Sequence, residues 1–275
     1  MGRITTRRRI RRITGSDTRS RQDSLVVEEP LEIRLAGRPL AVTMRTPGHD
    51  VELAAGFLTS EGIIWRAHDL LTAIHCGGPG SGGGENTYNV LDIALAPHVP
   101  PPPASSERSF YTTSSCGVCG KASIEAIATI SKFSVAGDPA AMSAAEVRAL
   151  PERLRAQQEV FAKTGGLHAA GLFDAATGEL LVVREDVGRH NAVDKVIGWA
   201  LLAGRLPLAG TVLQVSGRAS FELVQKATMA GVPMLTAVSA ASSLAVDLAE
   251  EAGLTLVGFM RGESMNVYTH PDRIR

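Results

Sequence analysis

The sequence predicts an α/β fold, a helix-covered and largely parallel sheet joined to a smaller β-rich N-terminal region. Three observations predict it. Over about the last ninety residues, short apolar runs alternate regularly with helical repeats, the pattern of a helix-covered parallel sheet. The first folded stretch shows instead the period of two that marks half-buried strands. With 275 residues, 44% hydrophobic and 20% charged, the chain can bury the core of one large domain or two modest ones.

The charge balance is uneven. Residues 1–21 hold eight arginines against the single acid Asp17, a net +7. Residues 22–275 hold 20 basic and 27 acidic groups, a net −7, so the folded part carries no global nucleic-acid footprint. An aromatic content of 4% argues against a base-stacking surface. Residues 1–22 are arginine-rich and acid-poor, the composition of a disordered basic arm. A twin-arginine export signal needs an apolar stretch after the arginines; Gln22, Asp23, Glu28 and Glu29 follow instead. No apolar run approaches ~18 residues, so no transmembrane helix is expected and the chain is read as cytoplasmic. Three cysteines do not make a disulfide scaffold.

Residues 23–103 form the β-rich region. Leu31, Ile33 and Leu35 alternate with polar positions, Gly37 turns the chain, and Leu40, Val42 and Met44 alternate again: a hairpin. Asp50 is placed to cap a short helix through Ala54, Phe57 and Leu58 that Gly62 ends. Strand-like runs at Leu70–His75 and Tyr88–Leu95 flank the glycine-rich stretch Gly77–Gly84. It lacks the Gly-Lys-Ser/Thr ending of a phosphate loop and reads as a hairpin tip. Pro97 and Pro100–Pro103 mark a stiff linker.

Residues 104–275 form the α/β core. Cys116-Gly-Val-Cys119 lies in an open Ser/Gly loop at a helix start, with Ile124, Ile127 and Ile130 at near-helical spacing. A helix at Ala144–Lys163 opens on the capping box Ser143/Glu146 and closes at Gly165-Gly166. Leu167–Phe173 and Leu180–Val183 read as a hairpin around Asp174–Gly178. Helices Asn191–Ala203, Phe221–Ala230 and Leu244–Ala252 then precede strands Val212–Val215, Met234–Val238 and Leu254–Gly258.

The Cys-x-x-Cys pair admits several uses. A structural zinc needs four ligands and would have to recruit Cys76 and a histidine, so no metal set is assigned. A dithiol redox pair, two inert cysteines, or a nucleophilic, sulfur-carrying thiolate at Cys116 are the others. A free thiol with a pKa near ~8.5 is a few per cent ionised at pH 7, and half-ionisation costs about 2 kcal/mol. A helix N-terminus supplies roughly 0.3–1 kcal/mol of that, and Lys121 adds to it.

Three strand ends carry related chemistry: Ser216-Gly217-Arg218-Ala-Ser220, Ser239-Ala-Ala-Ser242-Ser243 and Met260-Arg261-Gly262-Glu263-Ser264. In a parallel sheet these turns open onto one edge, where helix N-termini, hydroxyls, Arg218 and Arg261 would grip an anion or phosphate. The charged stretch Glu185–Lys195 places His190 and Asp194 four residues apart, where they could face each other as a base for the thiol. His168 falls on a strand near the site, with ligand and packing roles both open.

Five stretches together resemble the formate dehydrogenase accessory sulfurtransferase (FdhD) family: Ser115–Lys121, Thr164–Gly171, Glu185–Lys195, Ser216–Arg218 and Phe259–Tyr268. The resemblance runs from about residue 25 to the C-terminus and implies a cytidine-deaminase-like α/β sandwich core and a homodimer. It implies a sulfurtransferase that accepts persulfide sulfur from a cysteine desulfurase on Cys116, with Cys119 as the motif's second cysteine. The sulfur passes to the bis(molybdopterin guanine dinucleotide) molybdenum cofactor, a substrate here, for formate dehydrogenase. Phe259, Met260, Arg261, Gly262, Glu263 and Ser264 match the family's cofactor-binding stretch. Ser216, Gly217 and Arg218 are added to that site from the edge geometry, with GDP as a mimic of the nucleotide. Deaminase chemistry itself is not expected, because Ala170 stands two positions after His168 where a zinc deaminase needs glutamate. Neither membrane nor nucleic acid is expected as a partner.

Overall fold

The computed structural model describes residues 4–76, 88–101 and 131–275. Cys116, Cys119, the helix expected through Ile130, the glycine-rich stretch and the 103/104 boundary all lie outside the described residues.

The core is a six-stranded sheet in the order β12-β11-β10-β9-β7-β8. Its strands are β7 (His168–Asp174), β8 (Leu180–Asp186), β9 (Thr211–Val215), β10 (Met234–Ala237), β11 (Thr255–Arg261) and β12 (Ser264–Thr269). The sheet is mixed rather than largely parallel. Strands β9, β10 and β11 run parallel, while β7 is antiparallel to both β8 and β9, and β12 to β11. The reason is connection length: β7–β8 and β11–β12 are joined by tight turns, and only helical crossovers return a chain parallel.

Alternate residues of the central strands face opposite layers. Leu213, Leu235 and Leu256 pack with helices α4 (Arg189–Leu202), α5 (Phe221–Met229) and α6 (Ser243–Ala252). Val212, Met234 and Val257 pack with Val147, Leu150 and Leu154 of α2 (Ala144–Ala156) on the other face. The expected α/β sandwich is therefore present, with helices on both faces of the sheet. Ser143 and Glu146 form the expected capping box. The single helix expected over 144–163 is broken, however, and restarts as α3 (Glu159–Thr164). Glu185 of β8 supplies the reason: its carboxylate accepts the N–H groups of Val160 (3.0 Å) and Phe161 (2.8 Å) and so caps a new helix start.

The N-terminal region builds a second sheet, in the order β4-β3-β6-β5, from β3 (Glu29–Leu35), β4 (Arg38–Arg45), β5 (Leu70–His75) and β6 (Val90–Leu95). Leu31, Ile33, Leu40, Leu91 and Ile93 bury against Leu53, Ala54 and Leu58 of α1 (Asp50–Ser60). Asp50 opens α1 but does not cap it; His49 holds the N-cap position, and the Asp50 carboxylate takes two hydrogen bonds from buried Arg45, at 3.0 and 3.2 Å.

The arginine-rich arm is not disordered. It is a two-stranded antiparallel ribbon, β1 (Thr5–Thr14) and β2 (Asp17–Val26), turned at Gly15 with φ 60°. Thr5, Thr6, Ile10, Ile13 and Thr14 give β1 a β-branched content that its charge obscures. At the ribbon base, Val26 lies against Gly166 beside α3.

Helix α1 docks on α4 at backbone contact. A Cβ on Gly56 would lie 1.8 Å from the Asp194 carbonyl oxygen, and one on Gly198 would lie 1.8 Å from that of Glu52. Beside this crossing, Arg184 of β8 donates from Nε and Nη2 to the Glu52 carboxylate at 2.5 and 2.7 Å. Burial works to raise the Glu52 carboxyl, but Arg184 and then His49 outweigh it and hold the group down at about 2. A depressed carboxyl contributes stability that is complete above its ordinary value of 4.5 and is lost as pH falls toward 2. Chemical unfolding across that range is expected to show a loss that Arg184→Met flattens; an unchanged acid limb in the variant would contradict the clamp.

Candidate functional site

Strand direction decides which chain ends meet. The start of β7 and the ends of β8, β9, β10 and β11 all reach one edge of the six-stranded sheet. The three turns expected to converge there are laced together by their backbones. Ser239 N–H donates to the Gly217 carbonyl (3.3 Å), Phe259 N–H to the Ser239 carbonyl (3.1 Å), and Ala219 N–H to the Ala240 carbonyl (3.0 Å). Helices α4, α5 and α6 all begin at this edge, which adds the N-terminus of α4 to the two anticipated. Their first N–H groups make the edge electropositive.

Each predicted residue of the edge has a definite place; Cys116 and Cys119 lie outside the described residues. Ser216 Oγ accepts the Ala169 N–H at 2.9 Å, fastening β9 to β7. Gly217 lies beside His168 and Arg189; a Cβ there would be 3.5 Å from His168 Nδ1 and 3.9 Å from Arg189 Cδ. Arg218 and Arg261 are exposed, and no carboxylate lies within ion-pair distance of either among the described residues. Phe259 is exposed with φ 51°, at a bulge between Gly258 and Arg261. Such a φ strains a residue with a Cβ, and the bulge re-aims the strand end. Gly262 turns β11 into β12 at φ 53°, and Ser264 Oγ donates to the Arg261 carbonyl at 3.1 Å. Glu263 reaches to within 3.6 Å of Arg148. Met260 is buried in the core under α2 and brings only its backbone to the edge. Ser242 caps α6 through the Ala245 N–H, whereas Ser220 stands at the N-cap of α5 without a capping bond.

Within the charged stretch 185–195, His190 and Asp194 do not face each other as expected. Asp194 binds Lys226 at 2.8 Å and accepts from Ser60 Oγ at 2.9 Å. His190 turns to Glu222, with Nε2 at 3.7 Å. That imidazole is the main reason the Glu222 carboxyl is held down, at about 2. Asp186, wholly buried, accepts from Gly188 N–H (2.8 Å), Asn191 Nδ2 (3.0 Å), Thr46 N–H (3.1 Å) and Lys195 Nζ (2.7 Å).

Two residues at the edge were not assigned from sequence. Arg189, in the first turn of α4, has its Nε buried without a partner among the described residues. His168 is held below the ordinary imidazole value, first by burial and then by Arg189 and His190, so its ring is neutral at pH 7. For Arg189 the available signal was its place in the charge-rich stretch 185–195; His168 was marked only as near the site. Beside them a cleft of about 630 Å³ opens between α2–α3 and the strand ends, lined by Leu154, Arg155, Phe161, His168, Ser216 and Val238 among others. That is the size range of small-molecule sites. Arg155 stacks over Phe161, its guanidinium 3.9 Å from the ring centre.

Comparison with known proteins identifies a family. The model of the FdhD/NarQ family matches residues 26–275. The chain is 58% identical over 276 residues to the sulfur carrier protein FdhD of Mycobacterium tuberculosis, covering all of both chains. It is 59% identical over 275 residues to that of Streptomyces coelicolor, covering 100% of this chain and 97% of the relative. A crystal structure from Desulfotalea psychrophila, described as that of a formate dehydrogenase accessory protein, superposes with a TM-score of 0.73 at 23% identity. It covers 99% of this chain and 100% of its own.

Asp186 gives the sharpest stability prediction of the site. Asp186→Ala leaves Lys195 buried and uncompensated, and is expected to cost about 3–5 kcal/mol in urea unfolding, part of it restored by adding Lys195→Met. A loss under ~1 kcal/mol would show that the carboxylate does not organise this edge.

Proposed function

The chain belongs to the FdhD/NarQ family, and from that premise we propose that it carries sulfur to a molybdenum cofactor destined for formate dehydrogenase. The sulfur carrier role is the activity by which its close relatives are named. In the finer reading, the protein acts as a sulfurtransferase and a cysteine desulfurase is the donor. The Cys116 thiolate attacks the terminal sulfur of the donor's persulfide, the donor's cysteine leaves as a thiolate, and Cys116 holds the sulfur as its own persulfide. No net oxidation occurs in that exchange. Cys119 is assigned as the second thiol of the pair.

The acceptor is the bis(molybdopterin guanine dinucleotide) form of the cofactor, bound as substrate at the laced edge. One observation supports this reading. The turns at 216–218, 239–242 and 259–264 meet at the N-termini of helices, next to arginines without carboxylate partners among the described residues. Oriented N–H groups and guanidinium forks bind phosphate oxygens, and a dinucleotide carries a pyrophosphate. Arg218, Arg261 and Arg189 are the cations for it, and the neutral imidazole of His168 lies within the same group. The exposed ring of Phe259 offers a face for a purine or pterin. A homodimer and a cytoplasmic setting complete the reading; no helix of the described residues is long and apolar enough to cross a membrane.

Incubation with a cysteine desulfurase and cysteine is expected to add one sulfur, about 32 Da, to the peptide carrying Cys116. Cys116→Ala should abolish the adduct and Arg261→Ala should retain it. An adduct that persists in Cys116→Ala, or never forms on the wild type, contradicts the assignment.

A further inference from the structure

In the N-terminal region, a second cluster has the makings of a metal site. His68 and Asp69 lie in the one-turn 3-10 helix Ala67–Asp69 that leads into β5, and His98 lies in the turn that follows β6. One ligand atom from each residue lies within 4.8 Å of the other two. His98 Nε2 is 2.8 Å from Asp69 Oδ1, and His68 Nε2 is 3.8 Å from the same oxygen. We propose that His68, Asp69 and His98 form a binding site for a divalent transition cation of the zinc class.

The donor set fits that class, since imidazole nitrogen and carboxylate oxygen are the ligands zinc takes alongside thiolate. The carboxylate is already oriented for the purpose. Asp69 Oδ2 accepts the N–H groups of Trp65 (2.8 Å) and Arg66 (3.0 Å), so Oδ1 is left facing the two imidazoles. Such outer hydrogen bonds hold a ligating carboxylate in place. The Asp69 side chain is nearly buried while both histidines are exposed, which leaves the remaining coordination position to water. Bonds of about 2.0–2.2 Å put tetrahedral ligands roughly 3.4 Å apart.

Binding is a simple exchange. Each neutral imidazole takes the tautomer with its proton on Nδ1 and gives the Nε2 lone pair to the metal, and the His98–Asp69 hydrogen bond is replaced by two metal bonds. The backbone ties the same two turns, through Ala96 N–H to the Asp69 carbonyl at 2.8 Å. A bound cation therefore staples the entry of β5 to the exit of β6, closing the base of the segment that carries the glycine-rich stretch. Free thiols also take zinc, so the test must remove all three cysteines.

The test is equilibrium dialysis of the full chain carrying Cys76→Ser, Cys116→Ser and Cys119→Ser against Zn²⁺ alone at pH 7.5. One equivalent is expected, weakened on the order of tenfold or more by His68→Gln and by His98→Gln separately. Both replacements are on exposed side chains, so circular dichroism should be unchanged. Absence of binding, or binding that either histidine replacement leaves intact, overturns the site.

Discussion

The Asp186 carboxylate is the interaction on which the rest of this structure depends. It sits at the end of β8 with no exposure to water, where an unpaired charge would cost several kcal/mol. Four donors from three chain segments answer it: the backbone of Gly188, the side chains of Asn191 and Lys195 on α4, and the backbone of Thr46 after β4. Lys195 returns a hydrogen bond to the Thr46 carbonyl at 2.9 Å, and Asn191 one to the Met44 carbonyl at 2.8 Å. The direction of α4, the turn carrying Arg189, and the docking of the N-terminal sheet are set together. A network of this kind is strong when complete and costly when any member is removed.

The glycine contact between α1 and α4 extends the same logic. With no side chain at Gly56 or Gly198, the helix backbones meet, and Lys226–Asp194–Ser60 closes the far end of the crossing. The N-terminal region is thus fixed to the helix layer behind the strand ends. The edge is then left with the groups this framework does not consume: arginines, one neutral histidine, an exposed phenylalanine, and the first N–H groups of helices. Those are groups suited to hold an anionic nucleotide.

Local features were legible in the sequence because local chemistry determines them. The Ser143/Glu146 box, the turn at Asp174–Gly178 and the strand-helix alternation after residue 188 match the observed elements to within a few residues. Convergence of the turns after residues 215, 238 and 258 also followed from parallel pairing of β9, β10 and β11. What escaped was non-local. The break at Gln157–Gln158 depends on Glu185, from a strand 25 residues away in sequence from the Val160 amide it caps. The partners of His190 and Asp194 sit on α5 and α1, so their spacing of four was uninformative. The ribbon at residues 5–26 was hidden because net charge says nothing about β-branched pairing across a Thr-Gly turn. Of the site, the sequence marked Ser216–Arg218 and Phe259–Ser264 but could not tell that Met260 turns inward or that Arg189 is left over.

Hydrogen exchange in the presence and absence of excess GDP tests the account most directly. If the laced edge holds the nucleotide end of the cofactor, amides in 217–221, 239–243 and 259–264 will exchange more slowly with GDP bound, with that protection reduced in Arg218→Ala and Arg261→Ala. Unchanged exchange in all three turns at saturating GDP, or protection confined to a different face, would contradict it.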